Sequence, residues 1–284
     1  MYMPDNKGQE QPGKPVDENI VGQKPVELMA LNREIAYAGK IGRRREEYCR
    51  EQMRYMGVCH RKIGEDQSVY VKARGETISC QSGCSYCCQT VYVGASLQEC
   101  EAIAYYLAHH EPLLLEFMNT YPKWREKVRQ GGDRFHDCEQ FFNDMLRMGN
   151  SPEKDRAFQQ VLKRHNKQGI ACPFLKGDLC TIYEVRPSNC AGFFVTHARD
   201  LCRPREYYEP KFNLTSINDV LYDTTFYYQT LAQPITLYMP VAVYRLLEEG
   251  YYFLSQFPGL EDIAAEALSD PEVQGIVRSL YERG

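Results

Sequence analysis

Cys80-Gln81-Ser82-Gly83-Cys84-Ser85-Tyr86-Cys87-Cys88 holds four of the chain's twelve cysteines within nine residues. Free cysteine behaves as a small hydrophobe, and buried thiols are expected to scatter through a core. Here the cysteines are separated by three residues, two residues and none. At such spacings several sulfurs can converge on one centre with little loop to order. The stretch predicts a metal or cluster site around which the rest of the chain is organised.

Further along, Ala171-Cys172-Pro173-Phe174-Leu175-Lys176-Gly177-Asp178-Leu179-Cys180 reads as a small hairpin turning at Lys176-Gly177-Asp178. It returns one cysteine on each arm, a common way to build half a metal site. Arg186-Pro187 then restarts a helical turn that presents Cys190, and Cys202 follows eleven residues later.

The flanks read as helix. Residues 1–24 are polar and proline-punctuated and predict a disordered tail. Leu28, Leu31, Ile35, Ala38 and Ile41 recur at helical spacing and predict a helix from Val26 to about Met56, with Arg43-Arg44-Arg45 as a solvated face. Cys49, Cys59 and His60 could add ligands near its end, though buried thiols are the preferred reading. Ser68 to Lys72 is a β-prone run leading toward Cys80.

Ser96-Leu97-Gln98-Glu99 is a capping box opening a helix to His109, with Cys100 on its core face. Residues 113–168 predict further helices, broken at Gly131-Gly132 and restarted at Ser151-Pro152. His136-Asp137-Cys138 between them lacks evidence of a catalytic geometry. Beyond Tyr207, helices are expected over 219–231, 235–253, 260–268 and 272–281, with Asp270-Pro271 starting the last. Tyr227-Tyr228 and Tyr251-Tyr252 read as core aromatics.

Composition bounds the rest. The chain has 284 residues, 43% hydrophobic and 25% charged, with a formal charge of −4. That suits a chain burying a real core, and no basic surface points to nucleic acid. The first residues show no secretory signal, and Leu231 to Leu247 is too interrupted by prolines, Gln233 and Arg245 to span a membrane. The expected location is therefore the cytoplasm, a reducing setting in which thiols persist unless metal holds them. No phosphate loop, nucleophile elbow or paired-carboxylate motif is present, so no catalytic residue or substrate is assigned. A protein partner and the oligomeric state stay open.

The cysteine pattern resembles a known family. Cys80-x3-Cys84-x2-Cys87-Cys88, then Cys-Pro-Phe-Leu-x-Gly-x-Leu-Cys from Cys172 to Cys180, and Ile-Tyr-Glu-x-Arg-Pro-x-x-Cys ending at Cys190, are similar to the CxxCxxCC, or YkgJ-like, cysteine-cluster proteins, which chelate zinc or iron. The resemblance covers roughly residues 77–205. It implies eight metal ligands: Cys80, Cys84, Cys87, Cys88, Cys172, Cys180, Cys190 and Cys202. The sequence departs from the family in the first gap, three residues rather than two, and in Ala191 after the last motif. A related flagellin lysine N-methylase with a similar cluster makes S-adenosylmethionine a conceivable cofactor.

These readings predict a mainly α fold, a helical domain with a small β-hairpin built around a cysteine-ligated metal or cluster site. The expected organisation is the tail at 1–24, a cysteine-cluster domain at 25–205 with a helical insertion at about 96–168, and a helical extension packed on it at 206–284. Adjacent Cys87 and Cys88 point in different directions and would strain one zinc site, so an iron–sulfur cluster of the 4Fe-4S kind is preferred to zinc. Redox, scaffolding or partner-modifying roles would follow. Two alternatives remain. Cys80, Cys84 and Cys87 satisfy the three-cysteine rule of radical S-adenosylmethionine enzymes, though a chain of helices without alternating strands is unlike their barrel. A zinc-stabilised interaction module is the other.

Overall fold

The computed structural model describes residues 33–89, 92–132, 151–202 and 235–282, together with Gln140, Asp144 and Asn213–Leu214. The expected tail, the His136-Asp137-Cys138 segment, the 219–231 helix and Tyr227-Tyr228 lie outside these residues. The fold is mainly α with short antiparallel strand pairs.

Helix α1, Gly39–Arg74, is the spine. The expected first helix breaks at Tyr37-Ala38, where Gly39 takes φ +68°, and then runs on far beyond Met56. Its buried side includes Gly42, Arg45, Cys49, Gln52, Met56, Cys59, Ile63 and Gln67, spaced three or four residues apart. That stripe keeps one face inward over the whole length. Ser68 to Lys72 is consequently helix, not strand. Val69 is 68% exposed, so its β propensity has no sheet surface to pack on and yields to the burial of Ile63 and Gln67. Gly75, at φ +64°, ends the helix, with Gly75 N–H donating to Lys72 O and Glu76 N–H to Val71 O, a Schellman cap.

The arginine run departs from expectation at one residue. Arg43 is exposed and pairs with Glu272, but Arg45 is 1% exposed and pairs with fully buried Glu101. Tyr37 and Tyr251 lie 5.5 and 5.1 Å from the Arg45 guanidinium.

Strand β1, Gly94–Ser96, leads directly into α2, Leu97–Ala108. The capping box forms as expected, and Cys100 is fully buried. The helix ends at His109, whose Nδ1–H donates to Tyr105 O at 2.8 Å. Helix α3, Glu111–Gln130, stops at Gly131, and α4, Pro152–Asn166, starts with the Ser151 hydroxyl accepting from Lys154 N–H. The hairpin pairs β2, Leu175–Lys176, with β3, Leu179–Cys180, and the five-residue helix α5, Ser188–Gly192, runs into β4, Phe193–Phe194, which pairs with β5, Asn213–Leu214.

Residues 235–253 are not one helix. Thr236–Tyr238 is strand β6, antiparallel to β1 with Gly94 opposite Tyr238. Pro240 then suits the first turn of α6, Met239–Glu248, and Gly250 at φ +55° separates it from α7, Tyr251–Leu254. Helices α8, Ile263–Ser269, and α9, Pro271–Tyr281, complete the chain described. Asp270 accepts from Glu272 N–H in its own helix start and from Lys40 N–H in α1, so one carboxylate caps two helices.

Helix α2 lies between α1 and α6, and a single apolar cluster runs from Ile35 through α2 and α3 to Val273. Beside it, buried His165 stands edge-on to Tyr92 and Tyr238, with the Tyr238 hydroxyl 3.3 Å from Nε2. Among the described residues no helix is long and apolar enough to cross a membrane.

Candidate metal centre

The first cysteine stretch is folded by turns. Ser79 N–H donates to Val195 O, Cys84 N–H to Gln81 O across a turn with Gly83 at φ +78°, and Cys87–Gln89 closes a 3-10 turn. The second stretch is set by its hairpin, where Gly177 at φ +59° makes the reversal and Cys180 lies opposite Leu175. Phe174 roots the hairpin in the core, stacked on Phe117 at 4.4 Å.

Hydrogen bonds also join the first stretch to the hairpin. Cys172 N–H donates to Cys88 O at 2.7 Å, and the buried Ser85 hydroxyl donates to Asp178 Oδ1 at 2.6 Å. The half-motifs, remote in sequence, are therefore hydrogen-bonded neighbours.

The Cys190 arc is held from several sides. Tyr183–Val185 forms a 3-10 turn, Pro187 precedes α5, and Cys190 sits within α5. Glu99 bridges to it. Its Oε2 accepts from Ser96 N–H at 2.9 Å and the Ser96 hydroxyl at 3.2 Å, completing the capping box. Its Oε1 accepts from Ser188 N–H at 2.8 Å and the Ser188 hydroxyl at 2.7 Å. Asn189 donates to Gly94 O, while Gln67 donates to Ala191 O and Gly192 O. His60 Nε2 lies 2.8 Å from Arg186 O, and since a carbonyl only accepts, that nitrogen carries the proton. Burial lowers the His60 pKa against that hydrogen bond.

The thiols perturb one another. Burial pushes Cys172 up to about 12, with Cys180 and Cys87 adding to the rise. Burial raises Cys190 well above the usual thiol value, helped by Cys172, Cys180 and Cys87. Burial also raises Cys180. A hydrogen bond between Cys87 and Cys88 draws Cys87 down to about 7 and pushes Cys88 up, so the pair favours a shared proton. Cys202 rises to about 11 through burial and the charges of Cys80, Cys84 and Cys87. Cys80 rises through partial burial and through Cys84 and Cys87.

Charge interactions tie the thiols into two sets that share Cys87: Cys172, Cys180 and Cys190 act on one another or on Cys88, and Cys80 and Cys84 act on Cys202. Arg186 is the cation among them, opposing the rise at Cys180 and Cys190. Its guanidinium covers the Tyr183 ring at 3.9 Å, and its buried Nε finds no hydrogen-bond partner among the described residues.

This donor set fits a soft or borderline cation. Burial holds the protons on Cys172, Cys180 and Cys190, and a metal ion removes that penalty as it displaces them. The side chains do not yet enclose a common point. Among the described residues no three His, Cys, Asp or Glu side chains are set to hold a metal ion as they stand.

Other cysteines take the structural role. Cys49, Cys59 and Cys100 are buried, and Cys49 Sγ lies 3.9 Å from Glu101 O, inside α1 rather than at its end. Gln67 and the second oxygen of Glu99 escaped the sequence reading, and His60, considered there as a ligand, instead holds the Arg186 carbonyl. Only the four-residue step from Cys59 to Ile63 to Gln67 hinted that this face of α1 was buried.

Residues 79–207, less than half of the chain, match the model of a family described as "CxxCxxCC: Putative zinc- or iron-chelating domain". No curated protein and no solved structure matched the chain.

Proposed function

We propose that the zinc- or iron-chelating domain at residues 79–207 holds an iron–sulfur cluster of the 4Fe-4S kind, and that the protein serves a redox, scaffolding or partner-modifying role. The observation that supports this reading is the Cys172 N–H to Cys88 O hydrogen bond at 2.7 Å, which joins the backbone of the hairpin's first cysteine to that of the vicinal pair. Cys80, Cys84, Cys87, Cys88, Cys172, Cys180, Cys190 and Cys202 form the candidate donor set. Cys87 and Cys88 project from consecutive residues, so both on one zinc would close a strained small ring. A larger cage takes spread sulfurs more readily. When bound, such a cluster supplies one-electron transfer.

The chain's own residues then act as the frame. Ser85 and Asp178 lock the halves together, Phe174 anchors the hairpin, and Arg186 offsets thiolate charge. The test is anaerobic purification followed by iron, zinc and acid-labile sulfide analysis. Brown protein with iron and sulfide supports the reading. Colourless protein that carries zinc after expression in iron-replete medium overturns iron and leaves a zinc site.

A further inference from the structure

The matched family segment begins at residue 79, yet the arc presenting Cys190 is gripped by α1, which lies wholly before it. The grip acts at both ends of the arc. On the near side, His60 Nε2–H donates to Arg186 O at 2.8 Å, four residues ahead of the thiol. On the far side, the Gln67 amide donates to Ala191 O at 3.2 Å and Gly192 O at 3.1 Å, immediately after it.

A five-residue helix leaves its last carbonyls without helical partners, and buried carbonyls need donors. Gln67, itself buried, gives its amide nitrogen to two of them. Ile63 and Cys59, one and two turns earlier, pack with Ala191 in a small apolar cluster separate from the main core. The face of α1 made by Cys59, His60, Ile63 and Gln67 is thus shaped to one segment, Arg186 to Gly192.

We propose that His60 and Gln67 are positioning residues of the metal centre, fixing the direction of the Cys190 thiol from outside the matched domain. Their hydrogen bonds go to the backbone that carries the thiol, at Arg186, Ala191 and Gly192. The proposal rests on the metal-binding reading above. Its consequence is that the functional unit includes α1, and a domain cut at residue 79 would lose the hold on Cys190.

The test compares wild type, Gln67→Met, His60→Leu, His60→Gln and Met56→Ala. Gln67→Met keeps side-chain length and removes the donor; His60→Gln can restore a donor that His60→Leu lacks. Met56→Ala empties a fully buried core position on the same helix and controls for loss of stability alone. The first readout is the rate at which loaded protein yields metal to a chelator. The second is the alkylation rate of Cys190 relative to Cys172 in metal-free protein, followed by peptide mass spectrometry.

Gln67→Met and His60→Leu are expected to speed metal loss roughly tenfold or more, the usual scale for removing an outer-shell support. Both should raise Cys190 alkylation above that of Cys172, with His60→Gln close to wild type. Met56→Ala should raise the two cysteines in parallel. If Gln67→Met proves too unstable to isolate, the His60→Leu and His60→Gln pair decides. Parallel rises in the two variants, or unchanged metal loss, would overturn the positioning role while leaving the metal reading intact. Wild type that binds neither iron nor zinc would overturn both.

Discussion

Replacing Glu99 by glutamine should damage two places at once. The carboxylate accepts two hydrogen bonds on each oxygen, from Ser96 on one and Ser188 on the other. Glutamine offers one oxygen, so its amide nitrogen must face either the Ser96 or the Ser188 backbone N–H. The serine hydroxyls can rotate to accept from that amide; a backbone N–H cannot. One buried donor is left unpaired, at about 1–3 kcal/mol. Removing the charge from the first turn of α2 adds about 0.3–1 kcal/mol. The expected loss is roughly 1–4 kcal/mol, read as a fall in Tm of roughly 2–7 °C for a chain of this size. Urea and thermal unfolding should be followed in metal-free protein, because bound metal adds stability of its own by mass action. Ser188→Ala removes only a hydroxyl and should cost less than Glu99→Gln, and the double variant should cost less than the sum of the two. A Glu99→Gln protein within about 0.5 kcal/mol of wild type, the scale of an ordinary surface change, would refute the bridge.

Three further outcomes are expected. Arg45→Met strands Glu101 in the core and should cost about 3–5 kcal/mol, whereas Arg45→Met with Glu101→Leu should recover most of it; additive losses in a double-mutant cycle would contradict the buried pair. Burial lowers the His165 pKa to about 4, below the value near 6.5 of an unfolded histidine. The unfolded chain therefore binds the extra proton first, so this contribution is complete above about pH 6.5 and is lost as the pH falls toward 4. It amounts to roughly 3 kcal/mol, and metal-free His165→Phe should show a flatter stability profile over that window than wild type. Cys84→Ser, Cys172→Ser or Cys180→Ser should lower metal content measured by elemental analysis, and Cys100→Ser should leave it unchanged; full loading of Cys84→Ser would remove the first half-motif from the site.

What the sequence made legible was mostly local. A capping box, a proline at the first helical position and a Lys-Gly-Asp reversal each involve neighbours a few residues apart, and α2, α4, α9 and the hairpin formed where those signals stood. The misreadings came from distant partners. Arg45 looked like one member of a solvated run because its counter-charge lies 56 residues away. Ser68 to Lys72 had strand propensity, but its helix was fixed by buried Ile63 and Gln67 on the opposing face. Strands β1 and β6 are three residues each, too short to show a period, and each exists through the other. The same holds at the site. Cysteine spacing pointed to its thiols, whereas the hydrogen bonds of Gln67, His60 and Glu99 arise from packing and leave no spacing to read.

The joining of Cys88 to Cys172 also has a temporal side. During synthesis the four thiols of Cys80 to Cys88 leave the ribosome well before Cys190. At elongation rates of about 5–20 residues per second the lag is roughly 5–20 s. For most of that interval neither the Cys172 amide nor the Asp178 carboxylate has been made. A metal ion captured early meets a nascent ligand set that differs from the finished one. Orderly loading therefore calls for those thiols to be shielded, or for exchange to be rapid, until α5 has docked against α1.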